Sequence, residues 1–266
     1  MPSAPMPSAP TPSAVDVFLL RPEALAPDDR DALLSWLHPS ELERYHRFVF
    51  DRHRLEFLAT RALVRRALCS IRPIDPPAWQ FRITAHGRPE IDPPCGIAFN
   101  LANHPTLTVC ALRTAAAADG AHPGRVPELG VDVEPLTRGA EILPLAPSVF
   151  SVAERAALHA LPAAVQPDRA LSLWTLKEAY IKARSLGLSL PLDGFSFSFD
   201  SDPPRISFAA SIPDTPERWT FRTLDLLDHR ISLALEATDP APVVRVHHVT
   251  RLGPAIFEVD HLLDRT

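Results

Sequence analysis

Apolar and polar positions follow two different periods along the first half of the chain. Alternation with a period of two predicts strands at residues 15–20, 78–83, 97–101 and 107–112. Recurrence at helical spacing predicts helices at residues 32–37, from Pro39 onward and over about 50–70. The long helix carries arginines on its other face, and this face is either solvated or an anion-binding surface.

The second half of the chain repeats this combination. Alternating positions predict strands at residues 129–135, 195–199, 206–208, 219–224 and 231–235. Ser151 and Glu154 have the spacing of a capping box, which predicts a helix to about residue 161. A further helix is expected from Pro167 to Gly187. The pattern predicts an α+β fold of two similar halves in a pseudo-two-fold arrangement, each a small antiparallel sheet with a long helix packed on it.

Shifts in composition divide the chain into segments. Residues 1–14 repeat a Pro-Ser-Ala unit, which predicts a disordered extension. Residues 114–127 are small, polar and punctuated by Pro and Gly, which predicts a linker. Residues 243–246 are expected as an edge strand near the C-terminus. The predicted segments are the extension (1–14), an N-terminal half (15–113), the linker (114–127), a C-terminal half (128–240) and a tail (241–266).

Composition and charge narrow the classes of function. A net charge of −5 lacks the basic footprint of a nucleic-acid-binding protein. No apolar run reaches the roughly 18 residues of a membrane span, and the N-terminus has neither the basic nor the apolar region of a signal peptide. The three cysteines are scattered and have no metal-ligand spacing, so a reduced, cytoplasmic protein is expected.

The predicted helix around residues 174–182 (WTLKEAYIK) carries the first candidate chemistry. At 3.6 residues per turn, Trp174, Glu178 and Lys182 stand in one stripe. A carboxylate beside ammonium groups suits chemistry on phosphates. A Glu–Lys pair four residues apart is also a common surface pattern worth about 0.2–0.5 kcal/mol. On its own, the stretch leaves both interpretations open.

A second candidate lies in the strand at residues 129–135. Because side chains alternate along a strand, Asp132 and Glu134 point the same way, roughly 6–7 Å apart, and Glu178 can join them from the helix. Mg²⁺ takes carboxylates together with waters and phosphates. Strand carboxylates also commonly face water, but Gly130 and the flanking valines favour an interior strand, where paired acids are costly without a cation. The sequence contains neither a P-loop nor a Rossmann glycine motif.

Residues 130–134 (GVDVE), followed some forty residues later by residues 174–182, resemble the two-part signature of the 4′-phosphopantetheinyl transferases. The paired halves and the chain length resemble the larger, monomeric Sfp-type branch. Further matches are Arg61 to Arg65, residues 87–89 (GRP) and residues 99–101 (FNL), so the resemblance runs from about residue 40 to 200.

The resemblance implies a transfer reaction. These enzymes move the 4′-phosphopantetheine group of coenzyme A to a serine of an acyl or peptidyl carrier protein, with Mg²⁺ or Mn²⁺, and release adenosine 3′,5′-bisphosphate. It therefore implies a cytoplasmic, monomeric holo-acyl-carrier-protein synthase with coenzyme A and a carrier domain as its partners. The alternatives are a non-catalytic protein of the same fold that binds coenzyme A or a carrier, and a structural protein with fortuitous charge pairs.

The resemblance also implies roles for individual residues. Glu178, or a water held by the metal, takes the serine proton, and Lys182 offsets charge on the leaving phosphate. Glu154 matches an acid found at the start of its helix in the family. The implied metal ligands are Asp132, Glu134 and Glu178. The implied coenzyme-binding residues are Arg44, Arg61, Arg88, Asn103, His104, Lys177 and Lys182.

Two positions depart from the family's pattern. Where relatives have Ser-His, this chain has Ala102 and Asn103, with His104 one place later. Either His104 substitutes for the family's histidine, or the 3′-phosphate of the coenzyme is held more weakly by other basic residues. Glu41 occupies a position that is basic in some relatives. These differences concern coenzyme affinity more than the chemistry.

Overall fold

The computed structural model describes residues 14–114, 125–186 and 190–265. The strands are Ala14–Leu20 (β1), Phe81–Ile83 (β2), Pro89–Ile91 (β3), Ile97–His104 (β4), Leu107–Thr114 (β5), Leu129–Pro135 (β6), Phe195–Ser198 (β7), Arg205–Phe208 (β8), Trp219–Leu226 (β9), His229–Glu236 (β10), Val243–Leu252 (β11) and Phe257–Arg265 (β12). The α-helices are Arg30–Leu34 (α1), Pro39–Arg47 (α2), Asp51–Ile71 (α3), Gly139–Ile142 (α4), Ala146–Val149 (α5), Val152–His159 (α6) and Gln166–Arg184 (α7).

The first sheet has five strands in the order β12-β11-β1-β5-β4. β1 runs parallel to β11, and the other neighbours are antiparallel. Helix α3 packs on one face of this sheet, where its apolar stripe, including Leu58 and Leu63, meets Leu112 in one core. The apolar period seen over residues 50–70 is therefore the buried face of α3.

The second sheet has three antiparallel strands in the order β6-β10-β9, and α7 packs on it. Gly130 allows β6 to lie close against α7. A Cβ atom at this position would collide with the carbonyl oxygen of Ala179 and the amide nitrogen of Ala183. The close approach brings the strand that carries the acids directly against the helix that carries Glu178.

The two sheets pack face to face through a third core that includes Val17, Val109 and Leu233. β4 and β6, each at the edge of its own sheet, meet along one line. The amide of Val131 in β6 donates to Oδ1 of Asn100 in β4 at 2.9 Å. The seam between the sheets therefore runs beside the acidic strand.

The α+β fold class, with one long helix on each of the two larger sheets, is confirmed. The second sheet is antiparallel as expected, whereas the parallel pair of β1 and β11 makes the first sheet mixed. The C-terminal segment differs from the expected tail, because β11 and β12 join the first sheet. Residues 243–246 form a strand as expected, at the start of β11. Its expected position at the edge of a sheet is wrong, because β11 lies between β12 and β1. Seven residue pairs join β1 to β11, and the paired residues lie more than 200 positions apart in the sequence. No local sequence pattern predicts this pairing.

Three predictions fall wholly or mostly outside the described residues. The extension at residues 1–14 is described only from Ala14, which begins β1, and most of the linker at 114–127 is undescribed. The expected helix end at Gly187 is also outside. α7 ends at Arg184, because Ser185 takes the left-handed region at φ 55°. The division into segments therefore stays a prediction. In the described ranges, no helix has both the length and the apolar character that crossing a membrane requires.

Candidate active site

β6 presents its two acids to α7 and its valines to the core between the sheets. Val131 and Val133 lie in that core. Asp132 and Glu134 point to the opposite side and are only 6% and 7% exposed. The alternation predicted from the sequence is confirmed, and β6, although an edge strand, is buried along most of its length.

The stripe on α7 contacts these acids. Lys182 donates from Nζ to Oδ1 of Asp132 at 2.6 Å, and Trp174 donates from Nε1 to Oε1 of Glu134 at 3.2 Å. Glu178 lies between them, one helical turn from each. The side chains spaced four residues apart on α7 therefore face the acids of β6 and do not form a solvated surface stripe.

Burial makes Glu134 and Glu178 weaker acids than exposed glutamates are. Burial raises the pKa of Glu178, and the charge of Asp132 raises it further, against the opposing effect of Lys182. Burial also raises the pKa of Glu134, which a hydrogen bond from Arg138 opposes. Perturbed carboxyl groups gathered beside a cleft are typical of catalytic sites.

The donor set suits a hard cation, although the acids are paired with side chains in this structure. Asp132 is bonded to Lys182 and Glu134 to Arg138. In the described part of the chain, no group of three or more His, Cys, Asp or Glu side chains is arranged to hold a metal ion. Oδ2 of Asp132 is buried and has no hydrogen-bond partner among the described residues. This orphaned oxygen, beside two further carboxylates, fits the oxygen ligands that Mg²⁺ takes.

A cleft of about 290 Å³ opens beside the acids, at the seam between the sheets. Glu178, Ile181 and Lys182 of α7 form one wall. The other wall comes from the turn between β2 and β3 and from β4, at residues 86–89 and 99–101. A reacting group in this cleft would therefore lie against both Glu178 and Lys182.

A second cavity, of about 530 Å³, adjoins the first and is basic. Pro89 and Leu101 line both cavities. Arg44 and Arg61 line the second one, with their guanidinium groups 5.5 and 5.0 Å from the centre of the Phe57 ring. We call this cavity the basic groove. It makes the face of α3 an anion-binding candidate.

Part of the charge in the basic groove is already balanced. Glu41 lies 3.2 Å from Arg61 and 2.6 Å from Arg65, measured between the charged atoms. Arg65 is only 1% exposed, so it belongs to the core beneath the groove. Glu41 therefore lowers the positive charge that the groove can offer to a ligand.

Asn103 and His104 lie on opposite faces of β4. Asn103 lines the basic groove and accepts a hydrogen bond from the Thr60 hydroxyl at 2.8 Å. His104 instead bonds to the hydroxyl of Thr106, which bonds in turn to Nε2 of His229. Burial lowers the pKa of His104, so it is largely neutral near pH 7. The structure thus brings Asn103, and not His104, to the arginines.

Lys177 does not face the cleft, which corrects the expectation that it contacts phosphate. Its side chain is 0% exposed and lies 2.8 Å from Glu154 Oε2. Nζ also donates to the carbonyl oxygens of Leu192 and Phe195 at 2.7 and 2.6 Å. Three acceptors satisfy its three N–H groups, leaving none for a ligand.

Glu154 is likewise a buried structural partner. Besides Lys177, it accepts hydrogen bonds from the amides of Ser151 and Phe197, at 2.9 and 2.8 Å. The capping box predicted at the start of α6 is confirmed. This network joins α6, α7 and β7, and it explains the acid at this position without a metal.

Sequence reasoning missed Arg138 and the role of Trp174. Arg138 follows the end of β6 and turns back to pair with Glu134, which depends on a chain reversal that local spacing does not show. The four-residue interval predicts the stripe that contains Trp174, but it does not predict the hydrogen bond from Trp174 to Glu134. Arg88 lines the first cavity, as expected of a coenzyme ligand, although its guanidinium group is bonded to protein.

Comparison with known proteins finds similarity to the 4′-phosphopantetheinyl transferases. Residues 128–234 match the model of the 4′-phosphopantetheinyl transferase superfamily. A 4′-phosphopantetheinyl transferase of Bacillus subtilis is 28% identical over 224 residues, which span 84% of this chain and 91% of that protein. Sfp of Bacillus subtilis strain 168 is 25% identical over 227 residues, 84% of this chain and 91% of Sfp.

Two further matches cover smaller parts of this chain. HetI, a 4′-phosphopantetheinyl transferase of Nostoc sp. strain PCC 7120, is 29% identical over 160 residues, 59% of this chain and 63% of HetI. One solved structure is that of a holo-(acyl-carrier-protein) synthase of Bacillus anthracis in complex with CoA (3′,5′-ADP). It is 18% identical, and the matched region covers 42% of this chain and 96% of the synthase chain. Its TM-score of 0.34 is too low to decide the fold. The predicted resemblance to the superfamily and to its Sfp-type members is confirmed.

Proposed function

We propose that this protein converts apo carrier proteins to their holo form, because residues 128–234 match the model of the 4′-phosphopantetheinyl transferase superfamily. It transfers 4′-phosphopantetheine from coenzyme A to a serine of an acyl or peptidyl carrier protein, as a holo-acyl-carrier-protein synthase does. The observation that carries this proposal is the contact between β6 and α7. It sets Asp132 and Glu134 against Glu178 and Lys182 at the edge of a cleft.

In the proposed reaction, the serine oxygen forms a bond to the phosphorus that carries pantetheine. The pyrophosphate P–O bond of the coenzyme breaks, and adenosine 3′,5′-bisphosphate leaves with the bonding electrons. Glu178 takes the serine proton, since its raised pKa makes it a better base than an exposed carboxylate. Lys182, at the mouth of the same cleft, offsets negative charge on the leaving phosphate.

Asp132, Glu134 and Glu178 are the residues that would hold Mg²⁺ or Mn²⁺. When bound, the ion supplies charge stabilisation for the pyrophosphate during transfer. The unpartnered Oδ2 of Asp132 supports this assignment. Lys182 and Arg138 meanwhile keep the acids from repelling one another in the protein alone.

Removing divalent metal provides a direct test of the proposed cofactor. We expect EDTA to lower the release of adenosine 3′,5′-bisphosphate from coenzyme A by more than about 100-fold, because charge on the pyrophosphate then goes uncompensated. Added Mg²⁺ or Mn²⁺ restores it. Chromatography of the released nucleotide, with and without carrier protein, measures the effect. Undiminished release in EDTA would contradict the metal assignment.

The basic groove is the proposed site for the nucleotide end of the coenzyme. Arg44 and Arg61 supply positive charge there, and Asn103 with Thr60 supplies hydrogen bonds. The groove adjoins the reaction cleft at Pro89 and Leu101, so an extended ligand can occupy both. Coenzyme A has this form, with phosphates at both the middle and the nucleotide end.

Asn103→His is expected to strengthen coenzyme binding. It places a third cationic donor beside Arg44 and Arg61, and one charge-assisted hydrogen bond corresponds to a KM roughly 3- to 10-fold lower. The gain should disappear with 3′-dephospho-coenzyme A as the donor. Steady-state kinetics with both donors measures it.

His104→Ala is the matched control, because His104 lies on the other face of β4. We expect it to change the KM for coenzyme A by less than about twofold. A large rise in KM for His104→Ala, with none of the expected gain for Asn103→His, would mean that His104 holds the 3′-phosphate.

The second candidate function is binding without turnover. Asn103 in place of the family's histidine, and Glu41 beside Arg61, favour a weaker or altered coenzyme site. Calorimetry that detects tight coenzyme A binding, combined with no transfer to any carrier, would support this candidate over the enzyme.

We also infer a monomeric protein located in the cytoplasm. Each cysteine among the described residues, Cys69, Cys95 and Cys110, is unpaired, as expected in a reducing compartment. The site draws all its residues from one chain, with acids from β6 and α7 and cations from α2 and α3. Size-exclusion chromatography with light scattering measures the oligomeric state.

A further inference from the structure

The turn that joins β2 to β3 holds Arg88 in a fixed place beside α7. Gly87 takes the left-handed region at φ 81°. The amide of Arg88 donates to the hydroxyl of Thr84 at 3.1 Å, and the amide of Thr84 donates to the carbonyl of Arg88 at 2.8 Å. Two hydrogen bonds between Thr84 and Arg88 therefore fix the backbone of the turn from which the Arg88 side chain extends.

The guanidinium group of Arg88 reaches the C-terminus of α7. Nη1 donates to the carbonyl oxygens of Lys182 and Ala183 at 3.1 and 3.3 Å, and to the hydroxyl of Ser185 at 2.5 Å. Nη2 donates to the carbonyl oxygen of Phe99 in β4 at 3.2 Å. One side chain thus joins the end of α7 to the edge strand of the other sheet.

The end of α7 requires such a donor. The last carbonyl groups of a helix have no intrahelical partner, and they carry the negative end of the helix dipole. The half-buried guanidinium group of Arg88 donates hydrogen bonds to these carbonyl groups, and its positive charge interacts favourably with the negative end of the dipole. Ser185, which ends α7 at φ 55°, is held in the same contact.

We propose that Arg88 is a positioning residue that fixes the last turn of α7 and thereby holds Lys182 at the edge of the reaction cleft. This inference rests on the proposed transferase function and differs from the coenzyme-binding role that the resemblance implies. Lys182 provides the link. Its carbonyl accepts from Arg88, while its ammonium group donates to Asp132 at 2.6 Å. Without the hydrogen bonds from Arg88, the last turn of α7 unwinds and the ammonium group of Lys182 moves away from Asp132.

Charge and geometry distinguish positioning from coenzyme binding. A coenzyme phosphate needs positive charge, which lysine also supplies. The contacts to α7 and β4 need the planar fork, which lysine lacks. All four contacts use the two Nη atoms, and Nε is buried without a hydrogen-bond partner in the described residues. Arg88→Lys therefore separates the two roles.

The test compares Arg88→Lys and Arg88→Ala with the wild-type chain, by steady-state transfer and by hydrogen exchange. We expect both variants to lower kcat about 10- to 100-fold while the KM for coenzyme A changes less than about threefold. We also expect the amide hydrogens of residues 181–184 to exchange at least about tenfold faster, while those of β10 keep wild-type protection.

Arg82→Ala is the matched control in the same hairpin. Arg82 is 57% exposed and pairs with Glu90 at 2.7 Å, away from α7. We expect it to leave kcat, KM and exchange at wild-type values. This variant shows that loss of an arginine from the hairpin is not sufficient for the effect.

Two outcomes would overturn the positioning role. One is wild-type kcat and exchange in Arg88→Lys. The other is a raised KM for coenzyme A in Arg88→Ala with unchanged kcat and unchanged exchange. Either result assigns Arg88 to the coenzyme. Hydrogen exchange needs no turnover, so it still decides the role of Arg88 if the wild-type chain proves to have no transferase activity.

Discussion

Glu178→Gln is expected to abolish transfer, with kcat lowered roughly 10²- to 10⁴-fold. The amide cannot take the serine proton, and it is a poorer metal ligand than a carboxylate. The side chain lines the cleft beside Lys182, so the change removes a group at the point of reaction while preserving its shape. Carrier modification under steady-state conditions measures the loss.

Folding should survive this substitution. The pKa of Glu178 is raised by burial and by Asp132, so the folded state holds its proton more tightly than the unfolded state does. The stability associated with this group is present at low pH and is lost as the pH rises through the raised pKa. At pH 7 the neutral glutamine therefore leaves thermal stability unchanged or higher.

Glu217→Gln is the matched control for Glu178→Gln. Glu217 is an exposed acid before β9, outside the cavities that hold the proposed site. We expect wild-type activity and wild-type unfolding from it. A strong loss of thermal stability in Glu178→Gln would contradict the catalytic role and support a structural one.

Breaking the buried pair of Glu154 and Lys177 should give the largest loss of stability. Lys177→Met leaves Glu154 as a buried charge without its partner, and Glu154→Gln does the same to Lys177. Removing one member of a buried pair costs about 3–5 kcal/mol in the free energy of unfolding. Chemical denaturation of each variant measures this loss.

The double variant is expected to cost less than the sum of the two single variants, because neither charge then stays unpaired. Additive effects would show that the two side chains do not act together. If Lys177 contacted phosphate, Lys177→Met would instead raise the KM for coenzyme A while the free energy of unfolding stayed near the wild-type value.

Local spacing was sufficient to predict one part of the site. Alternation along β6 placed Asp132 and Glu134 on one face, and the four-residue interval on α7 placed Glu178 beside Lys182 in one stripe. Both inferences depend only on the period of a single element. The meeting of the two elements came from the family resemblance, since no local pattern specifies which strand a helix packs on.

Other parts depended on contacts between distant segments. Lys177 is the neighbour of Glu178 in sequence but lies about 100° around the helix, and its partner Glu154 comes from another helix. β11 pairs with β1 across most of the chain. The orientation of residues 103 and 104 was predictable from the sequence, since neighbouring side chains in a strand point to opposite faces. Only one of Asn103 and His104 can therefore face the arginines.

The intact mass of a carrier protein tests the central proposal most directly. After incubation with this protein, coenzyme A and Mg²⁺, we predict that an apo carrier gains the mass of one phosphopantetheine group. We predict no gain when the acceptor serine of the carrier is alanine, or when Glu178→Gln replaces the wild-type chain. An unchanged mass across carriers of fatty acid, polyketide and peptide synthesis, from a folded wild-type protein, would contradict the proposed function.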